Sequence, residues 1–115
     1  MTQLAKQQRL KTQHEFKNVL QTGKKFVAQQ VVVWGLPNEE GISRLGLIVS
    51  KRVGNAVVRN RIKRRLRNIF RQTAQSIQTP QDIVIIARKT ATEDTYHEIA
   101  LAVSRSFKWL ERKLA

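Results

Sequence analysis

Arginine and lysine, not acids or nucleophiles, carry the chemistry that this sequence advertises. Between Lys51 and Arg71 the chain reads KRVGNAVVRNRIKRRLRNIFR, with nine Lys or Arg residues and no acid, and no acid lies anywhere between Glu40 and Asp82. Gly54 predicts a turn and Asn55 an N-cap, its side-chain oxygen accepting from the first unpaired N–H groups of a helix that begins at Ala56. At 100° per residue Val58, Ile62, Leu66 and Ile69 gather on one side. Asn60, Arg64, Arg67 and Arg71 line the opposite side, flanked by Arg61, Lys63 and Asn68. The ordinary competing reading of such a face is a solvated surface. Solvated faces usually mix signs, because like charges four residues apart repel by about 0.2–0.5 kcal/mol per pair. No Glu or Asp relieves the repulsion here, so the negative charge is expected from outside the chain. Phosphate fits best, since guanidinium binds its oxygens in a bidentate fork.

Catalytic constellations are missing from the pattern. An endonuclease needs metal-holding carboxylates or a general acid and base at the scissile phosphate. The eight acids are Glu15, Glu39, Glu40, Asp82, Glu93, Asp94, Glu98 and Glu111. Glu15 and Glu98 fit helix capping, Glu39-Glu40 a turn, and Glu93-Asp94 an exposed pair leading into a helix. His14 and His97 each fall in a first helical turn without a partner at a useful spacing. No triad, phosphate-binding glycine loop or metal-ligand spacing occurs, so no catalytic and no metal-binding residue is assigned.

Composition supports the same class. At 115 residues the chain is expected to form a single domain. Its formal charge of +14 exceeds any need of solubility and calls for a nucleic-acid or anionic-surface partner. The longest apolar run, Val31 to Leu36, is far short of the ~20 residues that span a membrane. A membrane surface is disfavoured too, because the core should claim the apolar face of the basic helix. There is no cysteine, which excludes disulfides, zinc knuckles and thiol catalysis. The N-terminus has no apolar signal-peptide stretch, which leaves the cytoplasm by elimination.

The elements that must position the basic helix follow from local patterns. Residues 1–8 read as a mobile basic arm. Thr12 and Glu15 form a capping box that opens a helix to about Thr22, with Gly23 as its left-handed exit and Phe16, Val19 and Leu20 on its apolar side. Lys24 to Leu36 reads as one or two strands, Pro37 to Gly41 as a turn, and Arg44 to Ser50 as a strand with Leu45, Leu47 and Val49 on one face. The strands on either side of the turn are expected to pair as an antiparallel hairpin. After the basic helix, Ser76 to Pro80 is a linker and Asp82 to Ala87 a short buried strand. Thr95 and Glu98 cap a last helix with Ile99, Val103, Phe107, Leu110 and Leu114 at core spacing. The expected class is α+β, in the order α-β-β-(β)-α-β-α, with a central mixed sheet packed by helices. Strand 44–50, the basic helix and strand 82–87 form a βαβ unit, so those two strands should be parallel.

The ordered run Ser50-Lys51-Arg52-Val53-Gly54-Asn55-Ala56-Val57-Val58-Arg59-Asn60-Arg61, continuing through Lys63-Arg64 to Arg67, resembles the signature of the protein subunit of bacterial ribonuclease P, centred on Arg59-Asn60-Arg61. The likeness extends from Arg9-Leu10 through Phe16 and Ala87-Arg88-Lys89 to the last helix. It implies a fold like the second domain of ribosomal protein S5, with a left-handed βαβ crossover where the general rule makes ~98% right-handed. It implies that an RNA subunit removes the 5′ leader of precursor tRNA, while the protein alone is inactive, binds the leader and lowers the magnesium requirement. Mg2+ is then held mainly by the RNA subunit and substrate. The resemblance docks Lys51, Arg52, Asn55, Arg59, Asn60, Arg61, Lys63, Arg64, Arg67 and Arg71 on the catalytic RNA. It places Phe16, Leu20, Trp34, Arg9 and Lys11 at a cleft for the single-stranded leader. Stacking on such a platform contributes ~1–3 kcal/mol per base. Leu20 departs from members with Phe there and offers no ring face, and Trp34 has an alternative reading as a buried sheet residue. Implied partners are ribonuclease P RNA and the precursor tRNA leader, with neither membrane nor DNA. Composition alone would favour a small structural RNA-binding protein of the ribosomal type, and only the ordered motif argues otherwise. A DNA-reading helix would need a positioning helix next to it in sequence, and strands flank this one.

Overall fold

The computed structural model describes residues 5–114, and its centre is the strand most apolar in sequence. β4 (Gln81–Ala87) turns Ile83, Ile85 and Ala87 to one side and Val84 and Ile86 to the other. A strand apolar on both faces is favoured at the centre of a sheet, where helices can lie against either side. β2 (Val31–Pro37) pairs with it antiparallel, and β3 (Arg44–Ile48) pairs with it parallel. β1 (Lys24–Val27) adds antiparallel to the outside of β2, giving the order β1-β2-β4-β3.

This order corrects the expected hairpin: β2 and β3 do not pair, because β4 lies between them. The connection after Pro37 spans that gap, roughly 10 Å for two interstrand spacings. Asn38 pins it, donating from its backbone to the Pro80 carbonyl (3.0 Å) and from its side chain to Asp82 (2.7 Å) and the Ile42 carbonyl (3.1 Å). The true hairpin is β1–β2, closed by Ala28 N–H on the Val31 carbonyl at 2.9 Å. The expected parallel βαβ unit is present, with β3 ending at Ile48 and a turn following, where Val53 N–H meets the Ser50 carbonyl.

Three helices cover the sheet unequally. α2 (Ala56–Thr73) and α3 (Tyr96–Leu114) share one face, burying Ile62, Leu66, Ile69 and Phe70 with Ile99, Val103, Phe107 and Leu110 against Val31, Val33, Leu45, Ile83 and Ile85. Phe70 meets Phe107 edge-on, centroids 6.1 Å apart, and Asn68 donates to the Tyr96 hydroxyl at 2.7 Å. α1 (Gln13–Thr22) lies alone on the other face, burying Val19 on Val84 with Leu10, Phe16, Leu20 and Trp34 around them. The three expected caps form: Thr12 with Glu15, Asn55 on Val58 N–H (3.0 Å), and Thr95 with Glu98.

Gly23 needs a different explanation from the left-handed exit expected of it. Its φ of −76° is ordinary, but a Cβ there would sit 2.5 Å from the Val19 carbonyl oxygen and 2.8 Å from that of Gly35. Close backbone approach, not a positive φ, demands glycine. The left-handed glycine is Gly41 (φ 80°), between β2 and β3. Of the arm expected over residues 1–8, the first four lie outside the described residues. Lys6–Gln8 makes a single 3-10 turn, and Arg9 then bridges Leu45 in parallel, with Leu10 N–H on the Leu45 carbonyl at 2.9 Å.

Candidate nucleic-acid interface

α2 separates its two chemistries as its periodicity predicts. Ile62, Leu66 and Ile69 are buried and Val58 half-buried, while Asn60, Arg61 and Arg64 are exposed and Lys63, Arg67 and Arg71 half-exposed. Phe70, four residues after Leu66, also belongs to the buried side, although the sequence reading left it unassigned. No α2 cation has a carboxylate partner among the described residues. Two residues of the basic signature serve the fold as well. Asn55 spends its Oδ1 on the helix cap, and the Arg59 guanidinium donates to the Gly54 carbonyl at 3.0 Å, fastening the turn before the helix. Lys51 and Arg52 stand exposed in that turn.

The half-covered face of the sheet meets the basic face of α2 at β3. Phe16 lies directly over Gly46: a Cβ there would fall 2.5 Å from Phe16 Cε2 and 2.6 Å from its Cζ. Beside this contact a recess of about 200 Å³ is lined by Phe16, Gly46, Arg9, Lys63 and Arg67. On the other flank of Phe16, a shallow apolar shelf joins it to Leu20 and Ile48, with Lys11 and Lys17 at its border. Arg9, Lys11, Phe16 and Leu20 therefore come together with two cations of α2.

Trp34 stands on the same sheet face but two strands away, in the row Lys25–Trp34–Val84–Gly46. It is half-buried, and the Lys25 ammonium sits 5.5 Å above its ring centroid. A base reaching that ring meets a cation as well as a π face. The next row, Val27–Val32–Ile86–Ile48, makes an apolar floor that the sequence reading did not assign, with Val27 56% exposed and the other three half-buried. The available signal was β4 itself, apolar on both faces although one short helix cannot cover all of one.

A polar clamp sets this geometry. Arg44 holds Asp82 in a two-pronged contact, both distances 2.8 Å, and reaches Glu15 with its remaining nitrogen at 3.1 Å. Glu15 Oε1 accepts from the backbone N–H groups of Lys11 (2.7 Å) and Thr12 (2.9 Å). Those N–H groups first, and Arg44 besides, hold the Glu15 carboxyl below the usual glutamate range. Hydrogen bonding to Asp82 raises the Arg44 pKa. The clamp ties the first turn of α1 to β3 and β4, and Phe16 is the very next residue. Elsewhere, Asp94 accepts from Gln30 at 2.5 Å, and His14 and His97 are exposed. Among the described residues no three His, Cys, Asp or Glu side chains gather as metal ligands.

A mixed four-stranded sheet, half-covered on one face by α1 and flanked by an acid-free basic helix, makes an α+β domain with a surface suited to a polyanion. Comparison with known proteins identifies the branch. The family model described as Ribonuclease P matches residues 4–111. The ribonuclease P protein component of Bacillus cereus (strain Q1) is 44% identical over 106 residues, covering 91% of this chain and 92% of the relative. The solved ribonuclease P protein of Staphylococcus aureus has a TM-score of 0.78 at 35% identity, over 89% of this chain and 94% of that one. That of Thermotoga maritima has 0.77 at 30%, over 90% and 96%. The chain belongs to the ribonuclease P protein family. It is thus an RNA-binding subunit of the ribonucleoprotein endoribonuclease that removes the 5′ leader from precursor tRNA, a reaction catalysed by the RNA subunit. Ribonuclease P RNA and the tRNA substrate are its partners.

Proposed function

We propose that the two surfaces divide the work: the basic face of α2 docks on the catalytic RNA, and the half-covered sheet face receives the single-stranded leader. The observation that carries this is the recess where Phe16, seated on Gly46, meets Lys63 and Arg67. An aromatic face beside two cations is the combination that single-strand grooves use, with bases stacked and the backbone neutralised. Trp34 and its Lys25 extend the platform across the sheet, with the row from Val27 to Ile48 as its floor. Leu20 contributes an apolar wall without a ring.

Magnesium enters through the RNA. Because the reaction is catalysed by the RNA subunit, Mg2+ is assigned to the phosphates of that RNA and of the substrate; on the protein, Glu15 and Asp82 are paired with Arg44. The protein supplies fixed positive charge between two RNAs that would otherwise repel, which lowers the divalent ion needed for assembly. We assign the chain to the cytoplasm from the RNA partners its family implies; no described helix is long and apolar enough to cross a membrane.

The test compares precursor with mature tRNA. Phe16→Leu, which keeps an apolar side chain on Gly46, and Trp34→Ala should each weaken precursor binding by about 1–3 kcal/mol, roughly 5- to 150-fold. Mature tRNA, which has no leader, should bind as before. Equal losses for both substrates would remove these rings from the leader site.

A further inference from the structure

α2 is not the only helix with an uncompensated basic face. On α3 the side chains of Leu101, Arg105, Lys108 and Arg112 are all exposed, at spacings of four, three and four. From Arg105 to Lys113 the helix carries four cations and one acid, Glu111. That acid accepts from the backbone N–H groups of Gln78 (2.7 Å) and Thr79 (3.2 Å) and makes no ion pair with these cations among the described residues. Arg105, Lys108 and Arg112 make no hydrogen bond or ion pair among the described residues. Lys113 lies 5.8 Å from the ring centroid of Trp109. Three like charges thus follow one another over about 10 Å of helix. Their repulsion is a cost that the chain bears without an internal partner.

We infer that this stripe is a second phosphate-binding surface, and that its occupant is the backbone of the catalytic RNA. Charge selects a polyanion. A membrane surface is disfavoured, because the apolar side of α3 (Ile99, Val103, Phe107 and Leu110) is already buried in the core and cannot enter a bilayer. Position selects which RNA. α3 lies on the same face of the sheet as α2 and is packed against it through Phe70–Phe107 and Asn68–Tyr96. The leader cleft is on the opposite face. An RNA seated on α2 can continue across α3 on the same side of the sheet. The recess that α2 shares with the leader lies at the β3 edge, whereas α3 packs at the opposite end, Trp109 against Phe26 of β1 with centroids 5.7 Å apart. The choice of the catalytic RNA rests on the α2 docking proposed above; the stripe itself does not.

The experiment is the salt dependence of binding to ribonuclease P RNA by the full chain, with R105Q/K108Q/R112Q and the single variant R112Q beside the wild type. The triple variant should lower the log–log salt slope by about 2 to 3, and R112Q by about 0.7 to 0.9. A wild-type slope in both variants overturns the inference. So does a slope that changes for mature tRNA while that for ribonuclease P RNA stays constant, which would put the stripe on the substrate. R64A/R67A, measured in parallel, reports on the α2 docking independently, so failure of one surface is not mistaken for failure of the other.

Discussion

Replacing Gly46 with Ala probes the cleft at its tightest point. Strand geometry at Gly46 is ordinary, so alanine alone would be expected to stabilise the chain by about 0.4–1 kcal/mol through the unfolded state. Against that, the new methyl carbon would lie 2.5 Å from Phe16 Cε2, 2.6 Å from Cζ and 3.1 Å from Leu10 Cδ1. Overpacking of this kind costs about 1–3 kcal/mol, because the ring must move and α1 is fixed by the Arg44 clamp one residue earlier. At mid-range values the clash should win by about 1.3 kcal/mol, within bounds of about 0 to 2.6 kcal/mol, lowering Tm by about 4–8 °C per kcal/mol. Thermal melts give the stability, and filter binding of precursor and mature tRNA to the assembled holoenzyme gives the leader contact. A second variant, Gly46→Ala with Phe16→Leu, separates packing from stacking: the smaller side chain should recover most of the stability and none of the leader affinity. If Gly46→Ala melts higher than wild type and still discriminates precursor from mature tRNA normally, Phe16 does not sit on Gly46 as a leader platform.

Other consequences follow from the same geometry. Arg64→Ala with Arg67→Ala should leave the fold intact and reduce the salt slope for ribonuclease P RNA by about 0.7–0.9 per lost contact; an unchanged slope removes α2 from that interface. The Glu15 carboxyl is held below its usual range, so its stabilisation is complete above the ordinary glutamate value of about 4.3 and disappears as pH falls through the lower folded value. The Tm gap between wild type and Glu15→Gln should therefore narrow on acidification below about pH 4, and a gap that stays constant would contradict that coupling. Asp82→Asn leaves Arg44 with Glu15 alone and should destabilise by about 3 kcal/mol or less, below the usual range for a fully buried pair because water reaches the clamp. A melt unchanged from wild type would show the clamp to be decorative.

What could be read beforehand divides by distance along the chain. The basic helix, its Asn55 cap and its buried Ile62, Leu66 and Ile69 are local features, fixed by spacings of three and four, and they stand as expected. The ordered signature from Ser50 to Arg67 pointed to the family for the same reason. Strand order was not local. Val31 to Leu36 and Arg44 to Ser50 read as neighbours because a turn joins them, but the doubly apolar β4, arriving some 40 residues later, takes the place between them. The clamp shows the same limit: Arg44 and Asp82 are 38 residues apart, and only the finished sheet brings them together. Gly23 and Gly46 were opaque because their need for glycine comes from Gly35 and Phe16, partners that a conformational reading of each glycine does not contain.

Single-turnover cleavage by the RNA subunit, with and without this protein, across a magnesium series and for long and very short leaders, tests the division of labour most directly. A +14 protein placed between two RNAs should help most where magnesium is scarce. Its rate advantage should be large at low magnesium and shrink as the ion rises, with very short leaders losing the share due to the cleft. An advantage that stays constant across the magnesium range, or cleavage by the protein without the RNA, would contradict the account.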